Sequence, residues 1–205
     1  MLLRDQPKPE QLENLKTLQF SAESLLSLIN DILDYSKIEA GKVSFENTEF
    51  NFREFIYQIE QSFRYKAEET GVDFSVSIDE NIPEVLVGDP GRLNQILTNL
   101  LSNAFKFTSE GGVFGRVSLE RIQKDNYFIK FEIKDTGIGI PSDKQTVIFE
   151  RFTQASADVS RKFGGTGLGL AITKNLLELQ NSKIELESWE GVGSTFYFTL
   201  CLKKA

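Results

Sequence analysis

Gly164-Gly-Thr-Gly-Leu-Gly-Leu170 is the most informative segment of this sequence, and it leads directly into a helix predicted for residues 171–179. Four glycines in six positions let the backbone adopt φ values closed to other residues and approach a ligand closely. The helix start that follows presents free N–H groups and the positive end of the helix dipole, which suits a phosphate group. A flexible loop before an ordinary helix is the alternative, so the other motifs have to decide.

The composition is that of a globular chain with more acidic than basic residues. Its 205 residues, 40% of them hydrophobic, suffice for one sizeable core with an appendage. A net charge of −7 argues against nucleic acid as a partner, since that needs a basic patch, but it leaves room for a small nucleotide site. The single cysteine, Cys201, lies in an apolar run, so we expect it in the core, without a disulfide framework or a cysteine metal site.

The hydropathy of the chain bears on its location. No stretch approaches the roughly 20 apolar residues of a membrane span. Met1-Leu-Leu-Arg4 is too short for a signal peptide. We therefore expect no membrane segment in this chain and a cytoplasmic location, with any membrane anchor in a longer parent protein.

The spacing of apolar residues predicts one long helix over residues 9–40. Pro7 and Pro9 mark its start, and Gly41 marks its end. Its apolar residues follow the alternating spacing of a helix seam: Leu15, Leu18, Ala22, Leu25, Ile29, Ile32 and Ser36. Further leucines widen that stripe: Leu12, Leu26, Leu28 and Leu33. So wide a stripe suits a helical bundle, and we expect a homodimer through residues 12–36. Packing of the helix on its own domain is the alternative.

The rest of the chain mixes helices with strands and turns. Helical periodicity predicts helices from an Asn51 cap to about residue 69, and from Asp89-Pro90 through Ala104. Apolar runs predict strands or extended segments at residues 43–50, 72–78, 85–87, 113–122, 127–134, 183–188 and 194–202. This pattern indicates an α+β fold with a mixed sheet, and a division into residues 1–41 and 42–205.

The helix after Asp89 carries candidate nucleotide ligands. Asn99 and Asn103 are four residues apart and therefore share one helical face. Amide oxygens are acceptable ligands for Mg²⁺ that already holds phosphate oxygens. Lys106 supplies positive charge for phosphate, and Phe107 offers a flat face for a base. In the alternative, the asparagines cap neighbouring loops.

Asp135-Thr-Gly-Ile-Gly-Ile140 ends a predicted strand with an acidic residue and two glycines. A carboxylate accepts hydrogen bonds and so fits the exocyclic amine of adenine. Gly137 and Gly139 let the backbone pass close to the ring. An ordinary turn closing the strand is the alternative.

The segment after this turn reads as a lid with an apolar anchor. Phe149 and Phe152 predict a hydrophobic anchor, which would let residues 153–165 act as a lid. Arg161 and Lys162 either meet phosphates there or form a solvated charge pair.

Taken in order, four segments resemble the N, G1, F and G2 boxes of the sensor histidine kinases of two-component signalling. They are Asp89-Pro-Gly-Arg-Leu-Asn-Gln-Ile-Leu-Thr-Asn-Leu-Leu-Ser-Asn-Ala-Phe-Lys-Phe-Thr108, Asp135-Thr-Gly-Ile-Gly-Ile140, Phe149-Glu-Arg-Phe152 and Gly165-Thr-Gly-Leu-Gly169. The resemblance covers about residues 45–202. Residues 28–41 are similar to the second helix of the dimerisation and phosphoacceptor hairpin. The sequence as a whole most resembles those of hybrid sensor kinases.

The resemblance implies the ATP-binding sandwich shared with gyrase, Hsp90 and MutL, with helices on one face of a mixed sheet and ATP and Mg²⁺ as cofactors. Asn103, helped by Asn99, would bind Mg²⁺; Lys106 would contact phosphate and Phe107 the base; Asp135 would recognise adenine. The remaining implied nucleotide-site residues are Gly137, Gly139, Ile140, Lys162, Gly165, Thr166, Gly167, Leu168, Gly169 and Thr195.

One departure from the family pattern is large. The family transfers the γ-phosphoryl of ATP to a histidine on the first hairpin helix, and this chain contains no histidine. It therefore cannot phosphorylate itself on histidine. We expect a piece of a longer kinase whose partners are the histidine-bearing helix and a response regulator or receiver domain; a natural kinase that lost its acceptor is the alternative.

Two other functions compete with a kinase. ATPases of the same fold carry a glutamate four residues before the Mg²⁺-binding asparagine, and here that position is Asn99, so steady hydrolysis is expected to be very slow. A non-catalytic nucleotide-binding or scaffold module would work through its long helix and tolerate damage to Lys106 or the lid.

Overall fold

The computed structural model describes residues 8–150 and 167–205, with part of the side chains of the first helix. The chain divides after Lys42 into two compact units. The first contains helix α1 (Pro9–Glu39), which has a proline at its start. The second, from Val43 onward, contains a sheet and three helices among the described residues.

Helix α1 presents many of its apolar side chains to solvent. Leu18 and Leu25 are 65% and 59% exposed. Other apolar residues along the helix are exposed as well: Leu12, Leu26, Leu28, Ile29, Ile32 and Leu33. The helix predicted for residues 9–40 is confirmed, and its predicted apolar stripe lies at the surface of this single chain.

The second unit is built on one seven-stranded sheet. Its strands are β1 (Thr48–Asn51), β2 (Asp73–Ile78), β3 (Val85–Gly88), β4 (Gly112–Gln123), β5 (Asn126–Asp135), β6 (Glu185–Trp189) and β7 (Gly193–Lys204). The spatial order is β1-β3-β7-β5-β4-β2, with β6 pairing the first half of β7. Only β2 and β4 pair in parallel among these strands. The predicted mixed sheet is confirmed.

Three helices pack against this sheet and one another: α2 (Phe52–Thr70), α3 (Pro90–Phe107) and α4 (Gly169–Leu179). The Asn51 side chain accepts a hydrogen bond from the Glu54 N–H at 2.9 Å and begins α2. Asp89 does the same for α3, through the Arg92 N–H at 2.9 Å, with Pro90 at the first position. These caps satisfy otherwise unpaired N–H groups and fix where each helix starts.

Aromatic rings fill the layer between helices and sheet. Phe63 of α2 and Phe105 of α3 stack with centroids 5.7 Å apart, and Phe74 of β2 meets Phe105 edge-on at 5.2 Å. Phe131 of β5 and Phe198 of β7 stack at 4.9 Å. The core therefore joins α3, which carries the candidate ligands, to α2 and β2, and joins β5, which ends at Asp135, to β7.

Two expectations need correction. Cys201 is exposed, because alternate residues of β7 face opposite sides and the buried neighbours Leu200 and Leu202 take the core side. The segment predicted as extended at residues 43–50 forms a strand only from Thr48, since only that part pairs with β3.

Candidate functional site

The C-terminal end of α3 lies directly against the turn that follows β5. The Ile138 N–H donates to the Phe107 main-chain carbonyl at 3.2 Å. A Cβ at residue 137 would collide with that same carbonyl oxygen, so only glycine allows this close approach. Two motifs about 30 residues apart in sequence thus share one place in the fold.

Asp135 is the buried charge of this place. It ends β5 and is 6% exposed. Its Oδ1 accepts hydrogen bonds from the Gly137 N–H at 2.9 Å and from the Ser194 N–H at 3.3 Å. Burial raises the pKa of this carboxyl, and the two N–H donors oppose that rise. Because both donors use the same oxygen, Oδ2 can accept a further hydrogen bond.

The hairpin between β6 and β7 supports the same turn. Its Gly191 N–H donates to the Ile138 carbonyl at 2.7 Å. Gly139 has φ of +66°, and a Cβ there would collide with the Trp189 carbonyl. The glycine is therefore required both by its conformation and by the close packing of the hairpin.

A small polar cluster, which the sequence patterns did not predict, holds the end of the turn. The Ile140 N–H donates to the Ser188 hydroxyl at 2.8 Å, and that hydroxyl lies 2.9 Å from the hydroxyl of Ser194. The Gln145 amide donates to the carbonyls of Ile140 and Ser188, both at 2.9 Å. Only the β7 alternation could have pointed to Ser194, because Ser188 lies 48 residues from Ile140 and 43 residues from Gln145 in the sequence.

Thr195 does not join the site. In the register of β5 and β7, Asp135 lies opposite Ser194, whereas Thr195 lies opposite Lys134. Thr195 alternates with the buried Ser194 and Phe196 and so faces the other side of the sheet. The side chain that β7 brings to the Asp135 face is that of Ser194.

Asn99 of α3 lies against α4. The Asn99 Nδ2 donates to the Thr173 hydroxyl at 2.8 Å, and a Cβ at Gly169 would collide with the Asn99 Oδ1. Asn103 lies one turn later and is partly buried. The sequence-predicted face therefore meets the first turn of the helix that follows the glycine-rich stretch.

Lys106 and Phe107 complete the end of α3. The Lys106 ammonium lies 4.9 Å from the centroid of the Phe107 ring. Burial lowers the pKa of Lys106, and the positive charge of Lys66 lowers it further. An anion bound here would oppose both effects and raise the pKa of Lys106 again.

The glycine-rich stretch is described only from Gly167. Gly167 has φ of +69°, and Leu168, buried in the core, precedes the first residue of α4. The predicted Lys162, Gly165 and Thr166 lie outside the described residues, as do Phe152, Arg161 and the lid of residues 153–165. Phe149, the described part of the anchor, meets Phe196 edge-on at 6.3 Å.

Together these segments combine a buried acceptor, close backbone turns, amide oxygens and a half-buried lysine. That set suits a ligand with an amine-bearing ring at one end and phosphates at the other.

None of the helices in the described part of the chain combines the length and the hydropathy that a membrane span requires.

Two family models match the chain. Residues 88–204 match the histidine kinase-, DNA gyrase B-, and HSP90-like ATPase family. Residues 1–41 match the His Kinase A (phospho-acceptor) domain. The first match includes all four motifs of the candidate site, and the second includes α1.

Curated relatives are similar over nearly the whole chain. The signal transduction histidine-protein kinase BarA of Escherichia coli K12 is 39% identical over 202 residues, which is 98% of this chain and 22% of BarA. The sensor histidine kinase GacS of Pseudomonas protegens is 42% identical over 204 residues, 100% of this chain and 22% of GacS. Hybrid signal transduction histidine kinase L of Dictyostelium discoideum is 41% identical, over 12% of its length. The chain thus spans about a fifth or less of these relatives.

Solved structures share the fold. Full-length ShkA in complex with AMPPNP gives a TM-score of 0.80 at 29% identity, over 100% of this chain and 41% of that one. The catalytic domain of histidine kinase ThkA gives 0.57 at 28% identity, over 76% and 95%. With the family matches, these likenesses show that the chain belongs to the histidine kinase-, DNA gyrase B-, and HSP90-like ATPases and carries the ATP-binding catalytic domain of a hybrid-type sensor histidine kinase.

Proposed function

We propose that residues 43–205 bind ATP with Mg²⁺ and present its γ-phosphoryl group to a histidine carried by another segment of a longer kinase. The observation that carries the proposal is the contact between the end of α3 and the Asp135 turn, made by the Ile138 N–H and the Phe107 carbonyl. It brings candidate base and phosphate contacts into one site. Phosphoryl transfer depends mainly on such positioning and on charge neutralisation.

Asp135 recognises the adenine ring in this proposal. Its Oδ1 is held by two backbone N–H groups, and its Oδ2 accepts a hydrogen bond from the exocyclic amine. A hydrogen bond to a charged group contributes about 1.5–3 kcal/mol. Gly137, Gly139 and Ile140 line the ring with backbone, and Phe107 covers it.

Asn103 and Asn99 are the proposed Mg²⁺ ligands, and Lys106 the proposed phosphate contact. The Asn99 oxygen faces the start of α4 at Gly169, where the glycine-rich stretch would bring the phosphates, so the residues fit the ion. Bound Mg²⁺ would neutralise phosphate charge. Lys162, Gly165, Thr166, Gly167 and Leu168 belong to the proposed lid and phosphate turn, and the AMPPNP complex of ShkA supports a nucleotide there.

The proposed partners follow from α1 and from the relatives. The exposed apolar stripe of α1 forms a homodimer through residues 12–36, and the match to a phospho-acceptor domain supports this. The hybrid relatives support a response regulator or receiver domain as the next phosphoryl acceptor. The site works in the cytoplasm, where ATP is available.

An ATPase is disfavoured by the environment of Asn99. The amide bonded to Thr173 at 2.8 Å is neutral and cannot take a proton from water as a glutamate could. A non-catalytic nucleotide-binding or scaffold module is the second candidate, favoured by the lack of any histidine in the chain. That module would keep its behaviour when Lys106 is changed.

Calorimetric titration with a non-hydrolysable ATP analogue and Mg²⁺ tests the proposal, on this chain and on the Asp135→Asn and Asn103→Ala variants. Binding by the unchanged chain that weakens about 10- to 100-fold in Asp135→Asn and becomes insensitive to Mg²⁺ in Asn103→Ala supports it. Thr199→Val, on the opposite sheet face, is the control. If the unchanged chain does not bind the analogue, the hypothesis of a non-catalytic scaffold module replaces the kinase proposal.

A further inference from the structure

Thr173 is a buried polar residue to which the proposed function assigns no role. It lies in the second turn of α4 and is 1% exposed. Its hydroxyl accepts a hydrogen bond from the Asn99 Nδ2 of α3 at 2.8 Å, although 74 residues separate the two. Its only described side-chain partner is therefore a proposed Mg²⁺ ligand.

The amide of Asn99 has a donor end and an acceptor end, and α4 contacts both. The donor end meets Thr173. The acceptor end, Oδ1, lies so close to the first residue of α4 that a Cβ at Gly169 would collide with it. Rotation of the amide by half a turn would place the NH₂ group at Gly169 and remove the oxygen from the end of the glycine-rich stretch.

We propose that Thr173 is a positioning residue for the Mg²⁺–nucleotide site, which holds the Asn99 amide with its oxygen towards the phosphates. The inference rests on the proposed function, because it takes Asn99 as a metal ligand. Thr173 itself touches neither metal nor nucleotide. It acts through the orientation of the Asn99 amide, as groups behind a metal ligand commonly do.

Loss of the hydroxyl has a defined physical consequence. Valine has nearly the shape of threonine, so Thr173→Val keeps the packing of α4 but leaves the Asn99 NH₂ group facing a methyl group. The amide then gains freedom to turn, and fewer molecules present the oxygen. Changes behind a metal ligand typically weaken metal affinity by about 10- to 100-fold; a single neutral hydrogen bond predicts the lower end.

The test measures binding of a fluorescent non-hydrolysable ATP analogue to the 205-residue chain as Mg²⁺ is varied. Thr173→Val is compared with Thr173→Ser, which keeps the hydroxyl, and with Thr98→Val, an exposed threonine of the same α3 helix. Thermal unfolding without nucleotide is followed for each variant. It shows whether any change in binding merely follows a loss of stability.

We expect the Mg²⁺ concentration for half-maximal binding to rise about 10-fold in Thr173→Val, with Mg²⁺-free binding and the unfolding temperature little changed. Thr173→Ser and Thr98→Val are expected to match the unchanged chain. If Thr173→Val and the unchanged chain need the same Mg²⁺ concentration, the role of Thr173 is overturned while the proposed function stands. The same holds if Thr173→Ser needs as much Mg²⁺ as Thr173→Val. If the unchanged chain binds the analogue without needing Mg²⁺, the metal part of the proposed function fails, and the inference with it.

Discussion

In the proposed site, Asp135 serves two opposed requirements. Recognition of an amine needs an ionised acceptor in a confined place, and that confinement removes the carboxylate from water. Two backbone N–H groups reach it, yet burial still raises its pKa. Stability without nucleotide is therefore given up at this residue for the sake of binding.

The first prediction concerns Asp135→Asn. The folded-state pKa of Asp135 is raised, so ionisation of this group lowers stability as the pH rises through that pKa. The variant should unfold at a higher temperature than the unchanged chain at pH 7, and the gap should close as the pH falls through the raised pKa. Its nucleotide binding should weaken roughly 10- to 100-fold, because the variant loses one hydrogen bond between a charged carboxylate and the ligand amine. Thermal scans across pH, with titrations at pH 7, check both; a less stable variant at pH 7 contradicts the argument.

The second prediction compares two glycines of one hairpin. Gly193 has φ of +129°, and a Cβ there would collide with the Asp135 carbonyl; Gly191 has φ of +77° with open space around it. Gly193→Ala should lower the free energy of unfolding by roughly 3 kcal/mol or more, from strain and overpacking, and weaken nucleotide binding. Gly191→Ala, the control, should cost only about 1–2 kcal/mol. Urea denaturation measures both, and equal costs would refute the role of the Asp135 contact.

At the scale of elements, α1 differs from the three other α-helices in the described part of the chain. Helices α2, α3 and α4 bury one face against the sheet or each other. In α1 the apolar stripe is largely exposed, with Leu25 at 59%. An apolar face of that length is stable in water when another helix covers it, which is why we propose a second copy as its partner.

The third prediction therefore changes the α1 stripe. Leu25→Glu should weaken self-association more than tenfold, because each copy loses about 2 kcal/mol of apolar burial and gains a charge facing its own copy. Asn30→Glu, an exposed polar position of the same helix, is the matched control. Size-exclusion chromatography with light scattering over a concentration series checks this. A chain that stays monomeric at the highest concentration contradicts the proposed dimer.

At the scale of the whole molecule, the chain separates nucleotide binding from phosphoryl acceptance. The ATP-binding motifs lie in the unit from Val43 onward. The phospho-acceptor match covers residues 1–41, yet the chain contains no histidine. Transfer therefore requires a second polypeptide segment, supplied by the same parent protein in our proposal.

The fourth prediction follows from that separation. Incubated alone with γ-labelled ATP and Mg²⁺, the chain should gain no acid-labile label, because it has no histidine to phosphorylate. Mixed with a histidine-bearing hairpin of the same kinase, it should label that hairpin, and Asn103→Ala should abolish the labelling. Phosphate on the chain itself, or none on the hairpin while nucleotide binds, would contradict the kinase proposal and favour the scaffold.

Local patterns in the sequence were sufficient for most of the elements, whereas the roles of the site residues remain predictions. Apolar spacing and capping residues predicted α1, α2 and α3 within three residues, since both act through neighbours along the chain. The spacing of Asn99 and Asn103 predicted that they share one helical face, but the contacts of that helix with the Asp135 turn and with α4 came from the structure. The Thr195 prediction failed because its motif position alone does not say which face of β7 a residue takes; the register with β5 does.

The sequence by itself determined the mixed α+β fold, the motif order and the absence of an acceptor histidine, because these depend on residue type and on spacing along one element. Only the tertiary structure decided that Ser194 and not Thr195 meets Asp135, that Cys201 faces solvent, and that Asn99 is bonded to Thr173. Each of these contacts joins residues brought together by strand pairing or helix packing. The free energy that selects them comes from burial and hydrogen bonds that form between distant segments as the chain folds.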